Sequence, residues 1–122
     1  MVKDNVNRYY TQLLETLQAE YKGMEGSQKY TGSPPAFPYM YFKQIGGESA
    51  LETLSRTEEG INLAAEARFY SKKSVNDVRK IANTARVWAV GAGFHIDYFS
   101  PEENIKDPSV NQFIVRISKT DV

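Results

Sequence analysis

A chain of 122 residues, 41% hydrophobic and 25% charged, has the size and composition of one folded domain and hides roughly two thirds of its unfolded surface without staples. Fifteen basic residues balance fifteen acidic ones, so the positive surplus of a nucleic-acid-gripping protein is missing overall, although a local patch is compatible with that balance. With no cysteine, disulfides, thiolate nucleophiles and cysteine zinc sites are excluded and a reducing cytosol is the natural compartment; the N-terminus lacks the apolar core of a signal peptide, and the longest apolar stretch, VWAVGAGF, is too short to span a bilayer.

In chain order, Val2, Val6, Tyr9, Tyr10, Leu13, Leu14, Leu17 and Tyr21 recur at steps of three and four, which predicts an amphipathic helix. Asp4 or Asn5 is placed to cap its start and Gly23 to close it. Residues 23–38, GMEGSQKYTGSPPAFP, read as a loop, and Pro38 puts the following strand at an edge or ahead of regular pairing. YMYFKQI, residues 39–45, fits an aromatic strand with Tyr39, Tyr41 and Ile45 on one side. Residues 46–60, GGESALETLSRTEEG, are too long for a tight hairpin turn and read as an extended acidic excursion, with room for a helical turn at ALETL.

INLAAEARFY, residues 61–70, is the cleanest strand: Ile61, Leu63, Ala65, Ala67 and Phe69 face one way, and Asn62, Glu66, Arg68 and Tyr70 the other. SKKS ends it, and the pair Ser74 and Asp77 forms a capping arrangement for a helix. That helix is expected to bury Val75, Val78, Ile81, Ala82, Ala85, Trp88 and Ala89, and to stop at GAGF through Gly91 or Gly93. FHIDYF then sets Phe94, Ile96 and Tyr98 against His95 and Asp97. SPEENIKDPS reads as a polar turn region, and NQFIVRIS sets Phe113, Val115 and Ile117 against Ile114, Arg116 and Ser118. The expected fold is a single α+β domain over residues 1–122, a two-layer sandwich of order α-β-β-α-β-β. Its sheet is four-stranded and antiparallel, with both helices packed on one face.

Chemistry-bearing residues are sparse. His95 is the single histidine, and Asp97 two residues on makes a base-orienter pair conceivable, but no GxSxG elbow or similar nucleophile accompanies it. A structural histidine is the better reading. Glu48, Glu52, Glu58 and Glu59 make an acidic loop without the spacing of a calcium site, hence a solvated loop, or one kept acidic to face passing DNA. GGESA and GAGF lack the context of a phosphate cradle. Tyr30, Phe37, Tyr39, Tyr41 and Phe42 cluster around one proline-rich loop and strand. They read as core with a few wet hydroxyls or, more sharply, as an interface, where such residues are enriched. Stacking of single-stranded nucleic acid on them is disfavoured by the absent basic surplus.

Three stretches carry a resemblance: FPYMYFKQI, where a Pro-preceded strand follows a loop; ARFYSKKSVNDVRKIANTARVWAVGAGF, where a strand ending in Tyr-Ser leads into an alanine-bearing helix and a terminal Gly-Phe; and FIVRIS, with its outward arginine. With the N-terminal helix they cover nearly the whole chain and resemble the small tail-terminator and tail-completion proteins of long-tailed bacteriophages. The resemblance implies a non-enzymatic subunit without cofactor or metal, forming a ring, typically hexameric, that caps the tail tube and offers a head-joining surface. Implied partners are further copies of the chain, the tail-tube protein and the head connector, with DNA passing through the lumen without specific binding. The implied location is the host cytoplasm during assembly and then the virion. Candidate subunit or lumen contacts are Glu48, Glu52, Arg56, Glu58 and Glu59 in the acidic loop, with Tyr30, Phe37, Tyr39 and Arg116. The loops at Gly26–Pro38 and Ser100–Ser109 are candidates for contacts to neighbours. Alternatives are another neck or tube component, a small enzyme using His95 and Asp97, and a peptide-binding module working by strand addition.

Overall fold

The computed structural model describes residues 6–29, 34, 36–45, 61–102 and 109–121. Its elements run α1 (Val6–Glu20), β1 (Glu25–Ser27), β2 (Tyr39–Ile45), β3 (Ile61–Ser71), α2 (Val75–Gly91), β4 (His95–Glu102) and β5 (Asn111–Asp121). The class is α+β, as expected. The sheet, however, has five strands in the order β1-β2-β3-β5-β4, and it is mixed rather than purely antiparallel. β1 pairs parallel to β2, while β2 with β3, β3 with β5 and β4 with β5 are antiparallel.

The extra strand lies in a stretch whose composition reads as a loop. Gly23, at φ +81°, turns the chain out of α1, a conformation without steric cost only for glycine. Met24 is then buried, and Glu25 N–H donates to the Pro38 carbonyl at 3.2 Å, which starts the parallel pairing. A β-carbon on Gly26 would lie 3.0 Å from the Met40 carbonyl oxygen and 3.2 Å from Leu14 Cδ1. The glycine that reads as a loop former is there because β1 runs close beneath α1 and against β2.

One core holds the two layers together. Val6, Tyr9, Leu13 and Leu17 of α1 and Val78, Ile81, Ala82, Ala85 and Ala89 of α2 share it with Met40, Phe42, Leu63, Ala65, Ala67, Phe69, Phe113, Val115 and Ile117 of the sheet. Phe69 and Phe113 are register partners and both are fully buried. Because all these strand residues lie on one face, both helices cover that face. The α1 stripe agrees with the periodicity from Val6 on, with Tyr10, Leu14 and Tyr21 half-buried at its margin. Val2 and the expected caps Asp4 and Asn5 fall outside the described residues.

The junction from β3 to α2 is built as its Ser-x-x-Asp spacing predicts, with one difference. Ser74, in extended backbone, accepts the Asp77 amide at 3.0 Å. The Asp77 carboxylate does not reach back to complete the box; it accepts from the Ser71 hydroxyl at 2.6 Å, and Ser71 Oγ accepts the Lys73 amide at 3.1 Å. At the far end Gly93 takes φ +93°. Its amide donates to Val90 and that of Phe94 to Ala89 at 2.8 Å, a complete Schellman closure. Val75 is not buried as its position in the stripe suggests; it sits in the first turn, 48% exposed. Trp88 is half-buried, packed between Tyr9 and Phe94.

β4 departs most from simple alternation. His95 pairs with Ser118 and Ile96 with Ile117, but the next pair is Tyr98 with Arg116, so Asp97 is an inserted residue and the strand bulges there. One extra residue exchanges the two faces beyond it. Phe99 therefore packs edge-on against Phe113 in the core at 4.6 Å, and Tyr98, expected inside with Ile96, stands on the other face opposite Arg116. β4 also continues through Ser100, Pro101 and Glu102, which the polar composition assigns to a turn.

Candidate interface on the sheet face opposite α1 and α2

The face away from the helices is a lattice of side chains whose neighbours follow from the registers. Its rows across β2, β3, β5 and β4 are Tyr39–Tyr70–Gln112–Glu102, Tyr41–Arg68–Ile114–Ser100, Lys43–Glu66–Arg116–Tyr98 and Ile45–Ala64–Ser118–His95. A face left to water alone carries small polar and charged groups. Here aromatic and cationic side chains concentrate instead.

At one end Tyr39, Tyr70 and Val110 form a second buried cluster, with Phe37 and Tyr41 packed against it. Lys72 Nζ lies 4.9 Å from the Phe37 ring centroid, within the range of a cation–π contact. The side to which periodicity assigns Tyr39 and Tyr41 is thus real, but it belongs to this outer cluster. Met40 and Phe42, between them, are the β2 residues that enter the main core.

At the centre stands Glu66, only 2% exposed although neither α1 nor α2 lies on this face. It is covered by its own partners. Arg68 donates through Nε to Oε2 at 2.7 Å and Arg116 through Nε to Oε1 at 2.8 Å. Lys43 Nζ adds a third cation at 3.7 Å from Oε2. Arg116 in turn lies over the Tyr98 ring at 5.1 Å, and the Tyr98 hydroxyl donates to Glu102. Burial alone pushes the Glu66 carboxyl up. The hydrogen bonds from Arg116 and Arg68 and the charges of Arg68 and Lys43 outweigh it and hold the group below its ordinary value. The Glu66 carboxylate and the Tyr70 hydroxyl likewise raise Arg68 against the opposing effect of its own burial.

Of the residues singled out in the sequence, this face gathers Phe37, Tyr39 and Arg116. Tyr30, Glu48, Glu52, Arg56, Glu58 and Glu59 lie outside the described residues. Gly26 and Ser27, placed in a contact loop by composition, are strand residues pairing with Met40 and Tyr41. Glu66, Arg68, Lys43 and Tyr98 are the members that sequence reasoning did not single out. The spacing of Glu66 and Arg68 puts both on one strand face, but their link to Arg116 needs a register spanning 50 positions.

The His95–Asp97 pair does form, at 3.0 Å between Nδ1 and Oδ1, with side chains 81% and 43% exposed. Both side chains stand open to water, and Asp97 owes its position to the bulge. Among the described residues no three histidine, aspartate or glutamate side chains converge as metal ligands would, and no helix is long and apolar enough to cross a membrane. No protein-family model matches the chain, and no curated protein matches it.

Proposed function

We propose that this chain is a structural, non-enzymatic subunit of a phage tail, a terminator or completion protein that oligomerises as a ring, caps the tail tube and offers the head-joining surface. The observation that carries the reading is the sheet face opposite α1 and α2. Across β2, β3, β5 and β4 it bears tyrosines and arginines, the residue types enriched where proteins meet, and one buried carboxylate fixes its centre. The resemblance of the three sequence stretches to tail terminators supplies the particular assembly.

Strand addition as a rival mode is disfavoured by the edge itself. β4 is the long edge strand, and it carries a bulge at Asp97 and a proline at 101, two devices that block pairing with an added strand. The deciding experiment is electron microscopy of lysates from a phage lacking the gene, with tail lengths compared with the parent. Overlong tubes without heads support termination. Tails of normal length unattached to filled heads support a joining role, and intact virions overturn the assembly reading.

A further inference from the structure

We infer that Arg68 and Arg116, held by Glu66, form a carboxylate-binding site that docks the acidic stretch 46–60 of a second copy of this chain; the inference rests on the ring reading above. Each guanidinium meets Glu66 through Nε, so the bonds to Glu66 do not engage the terminal amino groups; Arg68 also hydrogen-bonds the Tyr70 hydroxyl, which makes Arg116 the more open of the two. Arg116 is 45%, Lys43 38% and Arg68 28% exposed at the side chain. Three cations surround one carboxylate, an excess of two positive charges at this cluster, with Glu102 the further carboxylate on the face.

A neighbour that covers this face takes its charged groups out of solvent. Burying an uncompensated guanidinium is costly, so a covering partner has to bring anions of its own. Carboxylates match the planar fork of arginine donors. The chain is neutral overall, so its basic face implies an acidic excess elsewhere, and two stretches of 15 residues each carry a net charge of −3: residues 97–111, which begin in β4 beside this same face, and residues 46–60, four glutamates against one arginine. Complementarity between two different surfaces of one chain makes a head-to-tail contact, the kind that closes rings. A nucleic acid is the less suited occupant, because three cations around a carboxylate offer few phosphate contacts.

The test titrates isotope-labelled full-length protein with a synthetic peptide of residues 46–60 and follows the Nε–Hε signals of Arg68 and Arg116 by NMR. Both signals are expected to shift saturably, with binding weakened by salt and lost when the four glutamates are replaced by glutamine. Arg116→Gln is expected to weaken binding several-fold while the Arg68 signal still reports its bond to Glu66. A silent titration, an equal response to the glutamine peptide, or a shift produced only by oligothymidylate overturns the site. So does an own-chain contact, in which the signals ignore protein concentration and the peptide has no effect. Tail lengths judge the ring reading independently: overlong tails with no peptide binding leave the ring and remove the site, whereas peptide binding with intact virions does the reverse.

Discussion

Arg116 and Glu66, 50 residues apart in the chain, meet side by side on adjacent strands with Nε 2.8 Å from Oε1. The bond ties β5 to β3 on the face opposite α1 and α2. Replacing Glu66 by Gln keeps the shape but turns an amide donor towards one of the two arginines. Two charge-assisted hydrogen bonds are weakened, and the expected loss is about 2 kcal/mol. Urea unfolding measures it, with the midpoint falling at an unchanged slope. An undiminished midpoint would mean that the arginines contribute nothing through the carboxylate.

The same carboxylate makes stability depend on pH with a fixed sign. Its folded pKa is lowered, so the unfolded chain binds the proton more readily. The contribution is fully present above the ordinary glutamate range and is lost as pH falls through the depressed folded value. Wild-type protein is therefore expected to lose stability on acidification, and the Glu66→Gln variant to lose less. Parallel urea titrations at neutral and acid pH check this, and equal acid sensitivity of the two proteins contradicts it.

Two glycines near the end of α2 predict opposite outcomes. Gly91 is the last helical residue and has open space around its α-carbon, so Gly91→Ala is expected to stabilise by up to about 1 kcal/mol through helix propensity. Gly93 sits at φ +93°, where a β-carbon is strained, and Gly93→Ala is expected to destabilise by about 1 kcal/mol. Thermal melts of the pair decide the matter, since equal shifts in one direction would contradict the closure described for this helix.

Much of the fold was legible because its signals are local. The spacing of Leu13 and Leu17, the alternation from Leu63 to Phe69 and the Ser74 cap each depend on neighbours within a turn or two, and each is realised. What stayed hidden depends on distant partners. β1 has only three residues and owes its existence to β2 beside it, not to its own composition. The bulge at Asp97 leaves no mark in FHIDYF, because a polar residue among aromatics reads as ordinary alternation; only pairing with β5 displaces Tyr98 to the outer face. The candidate interface was half legible for the same reason. Arg116 was recognisable as an outward arginine on its own strand, whereas the carboxylate that positions it belongs to a strand far away in the chain.

The exposed His95–Asp97 pair separates an enzyme from an assembly subunit. His95 is 81% exposed at its side chain, and its hydrogen bond to Asp97 spans two residues of a bulged edge strand. A surface pair of this kind contributes little to stability, so His95→Ala is expected to shift the unfolding free energy by no more than about 0.5 kcal/mol. If the chain works as a ring subunit, the variant also restores normal tails when supplied to a phage lacking the gene. A general base would behave differently: its removal leaves folding intact and abolishes function. Complementation followed by tail-length measurement reads out the difference, and a folded His95→Ala protein that fails to complement would return His95 to the centre of the mechanism.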